Sequence, residues 1–493
     1  MILKDLINPA GGLRIPPDFW DREITGISCD SRTVREGNLF VALPGPKTRG
    51  DLFIKEAMSR GASVIAQDAE AAGAAPDPGV CFLKVKDIRA FFKNALLRFY
   101  QDPSARVRVT GITGTNGKTT VTYLLESIFA AAGKNCGVIG TINHRHGGKI
   151  FDARNTTPGI VDNYIFLAEM AREGSTHCAM EVSSHALTQG RVDGIDFKTA
   201  VFTNLTSDHL DYHQTREEYF LAKSLLFTGL RPQSRAIINA DDEYGGRLVS
   251  MTKAVVRTYG IKNKSDIMAA GLRLGFSGST FQLVCPEGKI EIQTTLIGPH
   301  NIYNILAAAG VALAEQIPLD KIREGVERLR FVPGRLEQIC CGQDFYVFVD
   351  YAHTEDALKN VLSSLKDVSA ARIIAVFGCG GDRDKTKRPR MGEVAGELAD
   401  LAIVTTDNPR SEDPDEIIAQ IVRGFKRGNY QVVVNRQEAI AAALDLAGPG
   451  DVVLIAGKGH EDYQIFRDKT IDFNELDIVR EALLRQAGVK RES

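Results

Sequence analysis

The chain has 493 residues, of which 44% are apolar and 25% are charged. This balance is typical of globular proteins and argues against disorder or a coiled coil, and the length predicts about three domains. A net charge of −2 argues against a nucleic-acid binder that depends on bulk positive charge. The eight cysteines include no CxxC pair, which favours reduced thiols in a cytosolic protein over a disulfide framework.

Secretion and membrane insertion are not expected. The N-terminal residues lack the apolar core of a signal peptide, and the longest apolar run, Ile305 to Ala314, is too short to cross a bilayer. We therefore expect a cytoplasmic protein without membrane or nucleic-acid partners.

Residues 1–104 are predicted to form a small α/β unit, in which a helical pattern around Ile54 and Ala57 precedes a strand at ASVIA. Residues 105–334 alternate strands and helices, and a helix from Val121 to Ala132 is predicted to end at Gly133. Strands are expected at CGVIG, HCAMEV, KTAVFTNL and SRAIIN, with a β-rich stretch at 255–297 and a helix at 300–315.

A third α/β unit is predicted for residues 335–493, with strands at YVFVD, RIIAVFG, LAIVTT and DVVLIAG. The boundaries are placed at the turn-rich segments 101–104 and 331–335, and no solenoid repeat is evident. The alternation of strands and helices predicts mostly parallel sheets covered by helices.

A glycine-rich segment from Gly111 to Thr120 joins a strand to a helix. Such loops direct backbone N–H groups at phosphate oxygens, and the helix N-terminus favours negative charge. Lys118 is then predicted to reach the β- and γ-phosphates and Thr119 to bind Mg²⁺. The strict G-x-x-x-x-G-K-[ST] pattern is not met, because Ile112 stands at its first position. The alternative is a glycine-rich turn with a solvated lysine.

With that departure, the loop resembles the GTNGKT signature of the Mur ligase family. Further segments resemble family motifs in family order: MEVSSHAL, TNLTSDHLDYH, IGPHNIYNILAAAG, VPGRLE, VDYAHTEDAL, GCGGDRDKTKRP, TTDNPRSEDP and AGKGHE. Glu355 stands where the family usually has proline, and we expect little consequence because His353 and Asp356 remain.

The resemblance implies an α/β protein with the three-domain Mur ligase architecture. Residues 1–104 would bind the UDP substrate, residues 105–334 would bind ATP on a P-loop-type, mostly parallel sheet, and the Rossmann-like residues 335–493 would bind an amino acid. The similarity is to the branch that adds meso-2,6-diaminopimelate to UDP-N-acetylmuramoyl-L-alanyl-D-glutamate through an acyl phosphate, in cytoplasmic peptidoglycan and cell-wall synthesis. It implies ATP as co-substrate, two Mg²⁺ ions, a carbamate on Lys223 derived from CO₂, and a monomer.

The resemblance also implies site residues, listed here by ligand. Catalytic residues would be Lys118, Glu181, His209 and Lys223, and metal ligands Thr119, Glu181, His209 and the Lys223 carbamate. ATP would contact Gly114, Thr115, Asn116, Gly117, Lys118, Thr119, Thr120, His300, Asn301, Asn304, Arg335 and Asp350. The UDP-sugar dipeptide would contact Cys29, Ser31, Lys47, Thr48, Asn155, Thr156, Thr157, Ser183, Gln189 and Arg191. Diaminopimelate would contact Arg383, Asp407, Asn408, Pro409, Arg410, Gly457 and Glu461.

Plainer interpretations stay open from the residues alone. Glu181 could be an exposed strand end, Lys223 a solvated helix lysine, and His213 a surface or core histidine. The spacing of His209 and His213 suggests zinc, but HExxH is absent. Segment 300–304 could cap a helix, Arg335 and Asp350 could form surface ion pairs, and CDSR, NTTPG and DNPR could be ordinary turns.

A dinucleotide site at GCGG fails the G-x-G-x-x-G pattern, because Arg383 holds its last position. Two rival functions are a folylpolyglutamate synthase, against which the first-domain motifs and DNPR argue, and a nucleotide-binding regulatory or scaffold protein without turnover.

Overall fold

The computed structural model describes residues 1–7, 13, 15–45, 49–71, 77–206, 210–368 and 371–486. They form three sheets of four, eleven and six strands and a separate two-stranded hairpin. No helix within these residues is long and apolar enough to cross a membrane. The predicted boundaries at 104/105 and 334/335 stay predictions.

The first unit is built on a parallel sheet in the order β1-β2-β3-β4. Side chains alternate across each strand, so Val64 packs on the side of the central unit while Ile65 packs under helix α2. The elements are α1 Leu3–Leu6, β1 Ile27–Ser28, β2 Leu39–Val41, α2 Ile54–Ser59, β3 Val64–Asp68, β4 Cys81–Val85 and α3 Ile88–Phe99, with 3₁₀ turns at Pro17–Phe19, Ser31–Thr33 and Gly50–Phe53.

The central unit begins after Gln101 and Asp102, which both have positive φ and turn the chain. Its strands are β5 Arg108–Thr113, β6 Cys136–Ile139, β7 Asn143–His146, β8 Lys149–Asp152, β9 His177–Glu181, β10 Phe197–Phe202, β11 Arg235–Asn239, β12 Val255–Gly260, β13 Ile267–Gly275, β14 Gly278–Cys285 and β15 Gly288–Thr294. Its helices are α4 Pro103–Arg106, α5 Lys118–Ala131, α6 Ile160–Arg172, α7 Ser184–Thr188, α8 Leu210–His213, α9 Arg216–Thr228, α10 Gly245–Met251, α11 Pro299–Ala314 and α12 Leu319–Arg328.

The eleven strands lie in the order β15-β14-β13-β12-β11-β10-β5-β9-β6-β7-β8. Neighbours from β13 through β6 are parallel, and antiparallel pairs close both edges of the sheet. The carboxyl ends of β5 and β9 therefore meet at one edge, which is where open α/β sheets bind ligands.

The third unit orders its sheet β16-β17-β21-β18-β19-β20, parallel except for the edge strand β16. Apolar clusters cover both faces, with α13–α15 on one side and α16 and α17 on the other, so the layering is Rossmann-like. The elements are β16 Glu337–Ile339, β17 Tyr346–Asp350, α13 Glu355–Val368, β18 Ile373–Phe377, α14 Lys387–Leu398, β19 Leu401–Val404, α15 Pro414–Val422, β20 Tyr430–Val432, α16 Arg436–Leu446, β21 Val452–Ala456, β22 Tyr463–Ile465, β23 Thr470–Asp472 and α17 Glu475–Gln486.

The units are joined by shared cores. The first and central units contribute to one apolar cluster, in which Phe92 and Leu96 of α3 pack with Tyr164 of α6. On the other side, Phe276 from the β13–β14 turn enters the core of the third unit, 4.5 Å from the Tyr346 ring between centroids. These contacts hold the first and third units against the central unit.

The predicted strands and helices named above are confirmed, including the helix that ends before Gly133, whose φ is +69°. The β7–β8 hairpin was not predicted. Its sequence is largely polar, so it lacks the apolar alternation that marks a strand.

Candidate active site

The glycine-rich segment from Gly111 to Thr120, which we call the phosphate loop, connects β5 to α5. At two of its glycines, neighbouring atoms lie too close for a side chain. Gly114 has φ +149° and its absent Cβ would lie 1.8 Å from Thr203 Oγ1. Gly117 has φ +88°, and a Cβ there would lie 2.3 Å from Asn304 Oδ1. At both positions a side chain would clash with these atoms, and the positive φ is unfavourable for residues other than glycine. The loop is therefore pressed against the strand end of β10 and against helix α11.

Two lysines donate to one carbonyl oxygen of this loop. Lys118 Nζ donates to the oxygens of Gly114 (2.9 Å) and Thr115 (2.8 Å). Lys223 Nζ donates to the same Gly114 oxygen at 2.9 Å and lies 4.3 Å from the centre of the Tyr219 ring. Lys223 is only 1% exposed, so the alternative of a solvated helix lysine is wrong. Two ammonium groups on a single acceptor repel each other.

Glu181 ends β9 and is 1% exposed, so the alternative of an exposed strand end is wrong. Its carboxylate accepts hydrogen bonds from Thr119 Oγ1 (3.1 Å), from the Thr141 N–H (2.8 Å) and from Thr141 Oγ1 (2.9 Å). A carboxylate next to a hydroxyl is a donor set that suits a hard divalent cation such as Mg²⁺.

His209, one of the four predicted metal ligands, lies outside the described residues. Within the part of the chain that the structure describes, no group of three or more His, Cys, Asp or Glu side chains could hold a metal ion. His213 is a buried histidine whose Nε2 lies 2.8 Å from Ser184 Oγ, so the surface alternative is wrong for it.

The remaining loop residues are held by neighbouring strand ends. Thr115 Oγ1 accepts from the Thr206 N–H at 3.0 Å, and the Asn116 N–H donates to Asn204 Oδ1 at 2.9 Å. Thr120 is buried in the first turn of α5. The sequence had not singled out Asn204 and Thr206, although TNLTS was among the motifs it carried.

Helix α11 supplies the predicted nucleoside-side residues. Its N-cap is Gly298 and no side chain caps it, so the helix-cap alternative is wrong. Asn301 Nδ2 donates to the Ile297 oxygen (2.9 Å), and Asn304 Nδ2 donates to Asn301 Oδ1 (3.1 Å). His300 Nδ1 lies 2.9 Å from Ser364 Oγ of the third unit. The structure thus places Asn304 against the phosphate loop and His300 at the junction of two units.

Arg335 and Asp350 belong to the third unit and neither lies on the open surface. Arg335 donates to Thr119 Oγ1 (3.3 Å) and stacks 4.6 Å from the centre of the Tyr351 ring. Asp350 accepts from the N–H groups of Leu336 and Ala352, and burial raises its pKa above the usual value. Arg335 is therefore brought to the proposed metal side of the phosphate loop.

Asp356 makes a second contact between the third unit and the loop. Its Oδ2 accepts from Asn116 Nδ2 (2.9 Å) and from Thr206 Oγ1 (2.8 Å). The motif VDYAHTEDAL contains Asp356, but its partners lie far away in sequence and could not be inferred. The carboxylate holds the third unit against the loop between β5 and α5.

The predicted dipeptide-side residues gather next to Glu181. Thr157 Oγ1 donates to the Glu181 backbone oxygen (2.7 Å) and accepts from the Ser183 N–H (3.1 Å). Arg191 donates to the Thr157 oxygen (2.9 Å) and twice to Gln189 Oε1. The cluster is continuous with the Glu181 site.

Thr141 extends this cluster and was missed by the sequence analysis. Its Oγ1 lies 3.0 Å from Thr156 Oγ1, and it also contacts Glu181 as described above. Asn155, one residue before Thr156, is exposed. Thr141 thus connects the predicted metal carboxylate to the predicted substrate loop.

In the first unit, the CDSR segment forms a 3₁₀ turn whose N-cap is Asp30. The backbone therefore has the ordinary turn structure that was the plainer interpretation of this segment. Ser31 is buried and donates to Glu56 Oε2 at 2.7 Å, whereas Cys29 is exposed. Lys47 and Thr48 lie outside the described residues. Burial raises the pKa of Asp162 in α6, and the charge of Asp30 in the CDSR turn adds to the shift.

The predicted amino-acid residues of the third unit follow the ends of β19 and β21. Asp407 and Asn408 are buried, so a surface turn is wrong for them. Asn408 Nδ2 donates to Glu461 Oε2 (3.1 Å). Lys458 Nζ donates to Asn408 Oδ1 (3.0 Å) and lies 3.3 Å from Glu461 Oε2. Lys458 is fully buried and was missed, although AGKGHE contains it.

Charge around Asp407 is balanced by buried cations. Burial alone would raise the pKa of Asp407, but Lys458 and Arg436 hold it below the usual value. Gly457 lies beside this carboxylate, and a Cβ there would be 2.8 Å from Asp407 Oδ2. Arg410 follows Pro409 in the same loop. Its φ is +51°, and its side chain donates to the Gly381 oxygen at 2.8 Å. The other predicted arginine, Arg383, is exposed.

Three family models match the chain in sequence. They are described as the Mur ligase family catalytic domain (residues 23–100), the Mur ligase middle domain (112–312) and the Mur ligase glutamate ligase domain (334–459).

Curated relatives named UDP-N-acetylmuramoyl-L-alanyl-D-glutamate--2,6-diaminopimelate ligase match over nearly the whole chain. The protein from Bacillus licheniformis is 44% identical over 94% of this chain and 95% of its own length. The one from Geobacter metallireducens is 45% identical over 98% of both.

Solved structures agree with this relationship. A structure of UDP-N-acetylmuramoyl-L-alanyl-D-glutamate--2,6-diaminopimelate ligase is 33% identical, with a TM-score of 0.70 over 99% of both chains. A folylpolyglutamate synthase from Mycobacterium tuberculosis, 19% identical with a TM-score of 0.62 over 81% of this chain and 95% of that one, shares the fold alone. The three-domain Mur ligase architecture is thereby confirmed, and the chain belongs to the Mur ligase family.

Proposed function

We propose that this protein is an ATP-dependent ligase that adds meso-2,6-diaminopimelate to UDP-N-acetylmuramoyl-L-alanyl-D-glutamate in the cytoplasmic synthesis of peptidoglycan precursors. The observation that carries the proposal is the identity of 44% to relatives of that name over nearly full length. The grouping of Lys118, Lys223 and Glu181 at the carboxyl ends of β5 and β9 supports it chemically.

The first step activates a substrate carboxylate, which is a poor electrophile at neutral pH. The carboxylate oxygen attacks the γ-phosphorus of ATP, the bond to the β-phosphate oxygen breaks, and an acyl phosphate and ADP result. Catalysis of such a transfer rests on positioning and charge neutralisation. Lys118 would stabilise the transferring phosphoryl group, while Asn301, Asn304 and Asp350 would hold the nucleoside.

Thr119 and Glu181 would hold Mg²⁺, with His209 binding a second ion. The metal, when bound, supplies positive charge that offsets the charge of the phosphate oxygens. Arg335, which donates to Thr119 Oγ1 at 3.3 Å, would add a guanidinium from the third unit to the same place.

In the second step an amine of the diamino acid attacks the acyl carbon, forming a tetrahedral intermediate that expels phosphate. The neutral amine keeps one hydrogen in the amide and loses its other proton, which the departing phosphate or solvent takes. Arg383 and Arg410 would bind carboxylates, because guanidinium groups match their geometry. Glu461 would bind an ammonium group, with Asn408 orienting the carboxylate.

Lys223 would react with CO₂ in its neutral amine form, releasing a proton and leaving a carbamate. The shared Gly114 carbonyl supports this proposal, because a carbamate would replace repulsion between Lys118 and Lys223 with attraction. The anionic oxygens would then be suitable ligands for Mg²⁺.

The substrate's uridine end would bind the first unit at Cys29, Ser31, Lys47 and Thr48. Its muramoyl dipeptide would bind the central unit through a set of residues next to Glu181: Asn155, Thr156, Thr157, Ser183, Gln189 and Arg191. We further propose a monomer whose three domains, 1–104, 105–334 and 335–493, close over the substrates and exclude water.

ADP release by the purified protein tests the proposal. We expect release that requires both the UDP-linked dipeptide and meso-diaminopimelate. Release that depends on a folate and glutamate instead would favour a folylpolyglutamate synthase. ATP binding without release under any of these conditions would favour a regulatory or scaffold protein.

A further inference from the structure

Two loops of the third unit lie side by side, and we call them the arginine loops. Residues 380–383 follow β18 and carry Arg383, and residues 407–412 follow β19 and carry Arg410. The Gly381 N–H donates to the Asn408 oxygen (2.9 Å), and Ser411 Oγ donates to Asp382 Oδ1 (2.5 Å). The two segments therefore form one hydrogen-bonded layer.

Gly380 separates the two arginine side chains. A Cβ at Gly380 would lie 2.9 Å from Arg410 Nη1 and 3.9 Å from Arg383 Cγ. Both arginines thus flank one backbone position, each anchored on a different loop. Any shift of one loop against the other changes the separation of the two guanidinium groups.

A buried ion pair ties this layer to helix α14. Arg388 is fully buried and donates through both terminal nitrogens to the two oxygens of Glu412, each at 2.9 Å. It also donates to Gln420 Oε1 (2.9 Å) and to the Gly380 oxygen (3.3 Å).

Glu412 connects the pair to both loops. It belongs to the second loop, and its Oε1 accepts from the Asp382 N–H of the first loop at 2.7 Å. The Arg388 guanidinium is the main cause that lowers the pKa of Glu412 to about 2, so the carboxylate stays charged at neutral pH. Arg388 and Glu412 therefore contact Gly380, Asp382 and the Arg410 loop at once.

We propose that Arg388 and Glu412 are a positioning pair that fixes the spacing of Arg383 and Arg410, and thereby the selectivity for a diamino acid with a carboxylate at each end. This inference rests on the proposed function. Neither residue touches the substrate; they act through the loops that carry the two arginines.

The chemistry explains why spacing decides selectivity. Meso-diaminopimelate and lysine differ by one carboxylate at the far end of the chain. A second guanidinium distinguishes them only when it lies where that carboxylate lies, since charge-assisted bidentate bonds are strongly directional. Displacement of a binding group by about 1 Å can reduce catalysis by about 10²-fold.

Two variants test the positioning role without leaving a buried charge unpaired. Arg388→Lys keeps the charge but loses the bidentate fork, and Arg388→Met with Glu412→Met replaces the pair by apolar groups of similar volume, a change that folded proteins often tolerate. Glu393→Gln is the matched control, because Glu393 lies on the same helix and pairs with Lys426 at the surface. Melting curves establish which proteins are folded.

In both variants we expect the KM for meso-diaminopimelate to rise by about tenfold or more, with the KM for ATP and for the UDP-linked dipeptide within about twofold of wild type. The preference for meso-diaminopimelate over L-lysine, as a ratio of kcat/KM, should fall by about tenfold or more. The Glu393→Gln control should keep both values.

A folded variant with an unchanged preference would overturn the inference. So would an equal rise of KM for all three substrates, because that result indicates general loosening rather than positioning. A wild-type protein that shows no diaminopimelate-dependent ADP release would instead refute the proposed function, which separates the two failures.

Discussion

The phosphate loop and the arginine loops both carry positive charge at proposed anion sites, but they hold it differently. Lys118 and Lys223 extend from two helices to one carbonyl oxygen, inside a loop whose glycines pack against the end of β10 and against helix α11. Arg383 and Arg410 are carried by the loops themselves, and Arg383 is exposed. We therefore expect direct packing to fix the proposed phosphate site, whereas the proposed amino-acid site depends on the Arg388–Glu412 pair. Substitutions should affect the rate at the first site and selectivity at the second.

Removing the loop lysine should produce the largest effect. We expect Lys118→Ala to lower kcat/KM by about 10³-fold or more, because it deletes a cation aimed at the transferring phosphate. The melting temperature should change little, since Lys118 is half-buried at the loop surface rather than in the core. Lys134→Ala, beyond the other end of the same helix, is the control. Unchanged turnover would refute the phosphate-loop assignment.

The second lysine should matter almost as much. Lys223→Ala is expected to lower kcat by about 10²- to 10³-fold, and added short-chain carboxylates should restore part of the activity by standing in for the carbamate. Leu225→Ala, at an exposed position of the same helix, serves as control. Mass spectrometry under CO₂ with a trapping reagent reports the modification directly. An unmodified amine together with failed rescue contradicts the carbamate.

At the arginine loops we expect a substitution to change the KM for only one of the three substrates. Arg410→Ala is expected to raise the KM for meso-diaminopimelate by about 10²-fold while leaving the KM for ATP nearly constant, because it removes a charge-assisted partner. Arg410→Lys keeps the charge without the fork and should recover part of the loss. Comparable efficiency with L-lysine in the wild-type enzyme would be inconsistent with the specificity proposed here.

The smallest effect is expected at Thr141, which contacts Glu181, the proposed metal carboxylate, without itself being a proposed ligand. Thr141→Val removes the hydroxyl at constant shape and should raise the Mg²⁺ concentration for half-maximal ADP release by about tenfold. Thr141→Ser keeps the hydroxyl and should behave like wild type. Calorimetry of the UDP-linked dipeptide in the absence of ATP measures substrate binding independently of ADP release. Equal Mg²⁺ requirements for the two variants would show that the hydroxyl contributes nothing.

Much of this organisation could be predicted from local sequence. Apolar strands followed by glycine turns indicated the parallel sheets, and HCAMEV placed Glu181 at the end of a buried strand. The burial of Lys223 could not be predicted, because its acceptor Gly114 lies more than a hundred residues away. The same holds for Asp356 and Asn116, which meet across two units. A signal was available for the β7–β8 hairpin, since Gly147 and Gly148 form the two-residue turn that such hairpins favour.

Two hydroxyl groups, those of Thr141 and Thr156, form a short hydrogen-bonded chain that ends at the Glu181 carboxylate. The contacts of Thr141 determine which oxygen donates and which accepts along this chain. An ionised Glu181 can only accept, so Thr141 gives it its single hydroxyl proton. The contact of 3.0 Å between Thr141 Oγ1 and Thr156 Oγ1 must then use the proton of Thr156. Thr156 has no proton left and presents lone pairs alone to whatever binds beside it. That position would favour a peptide N–H of the proposed substrate and disfavour a carboxylate or phosphate oxygen, which gives a preferred orientation for a dipeptide bound there.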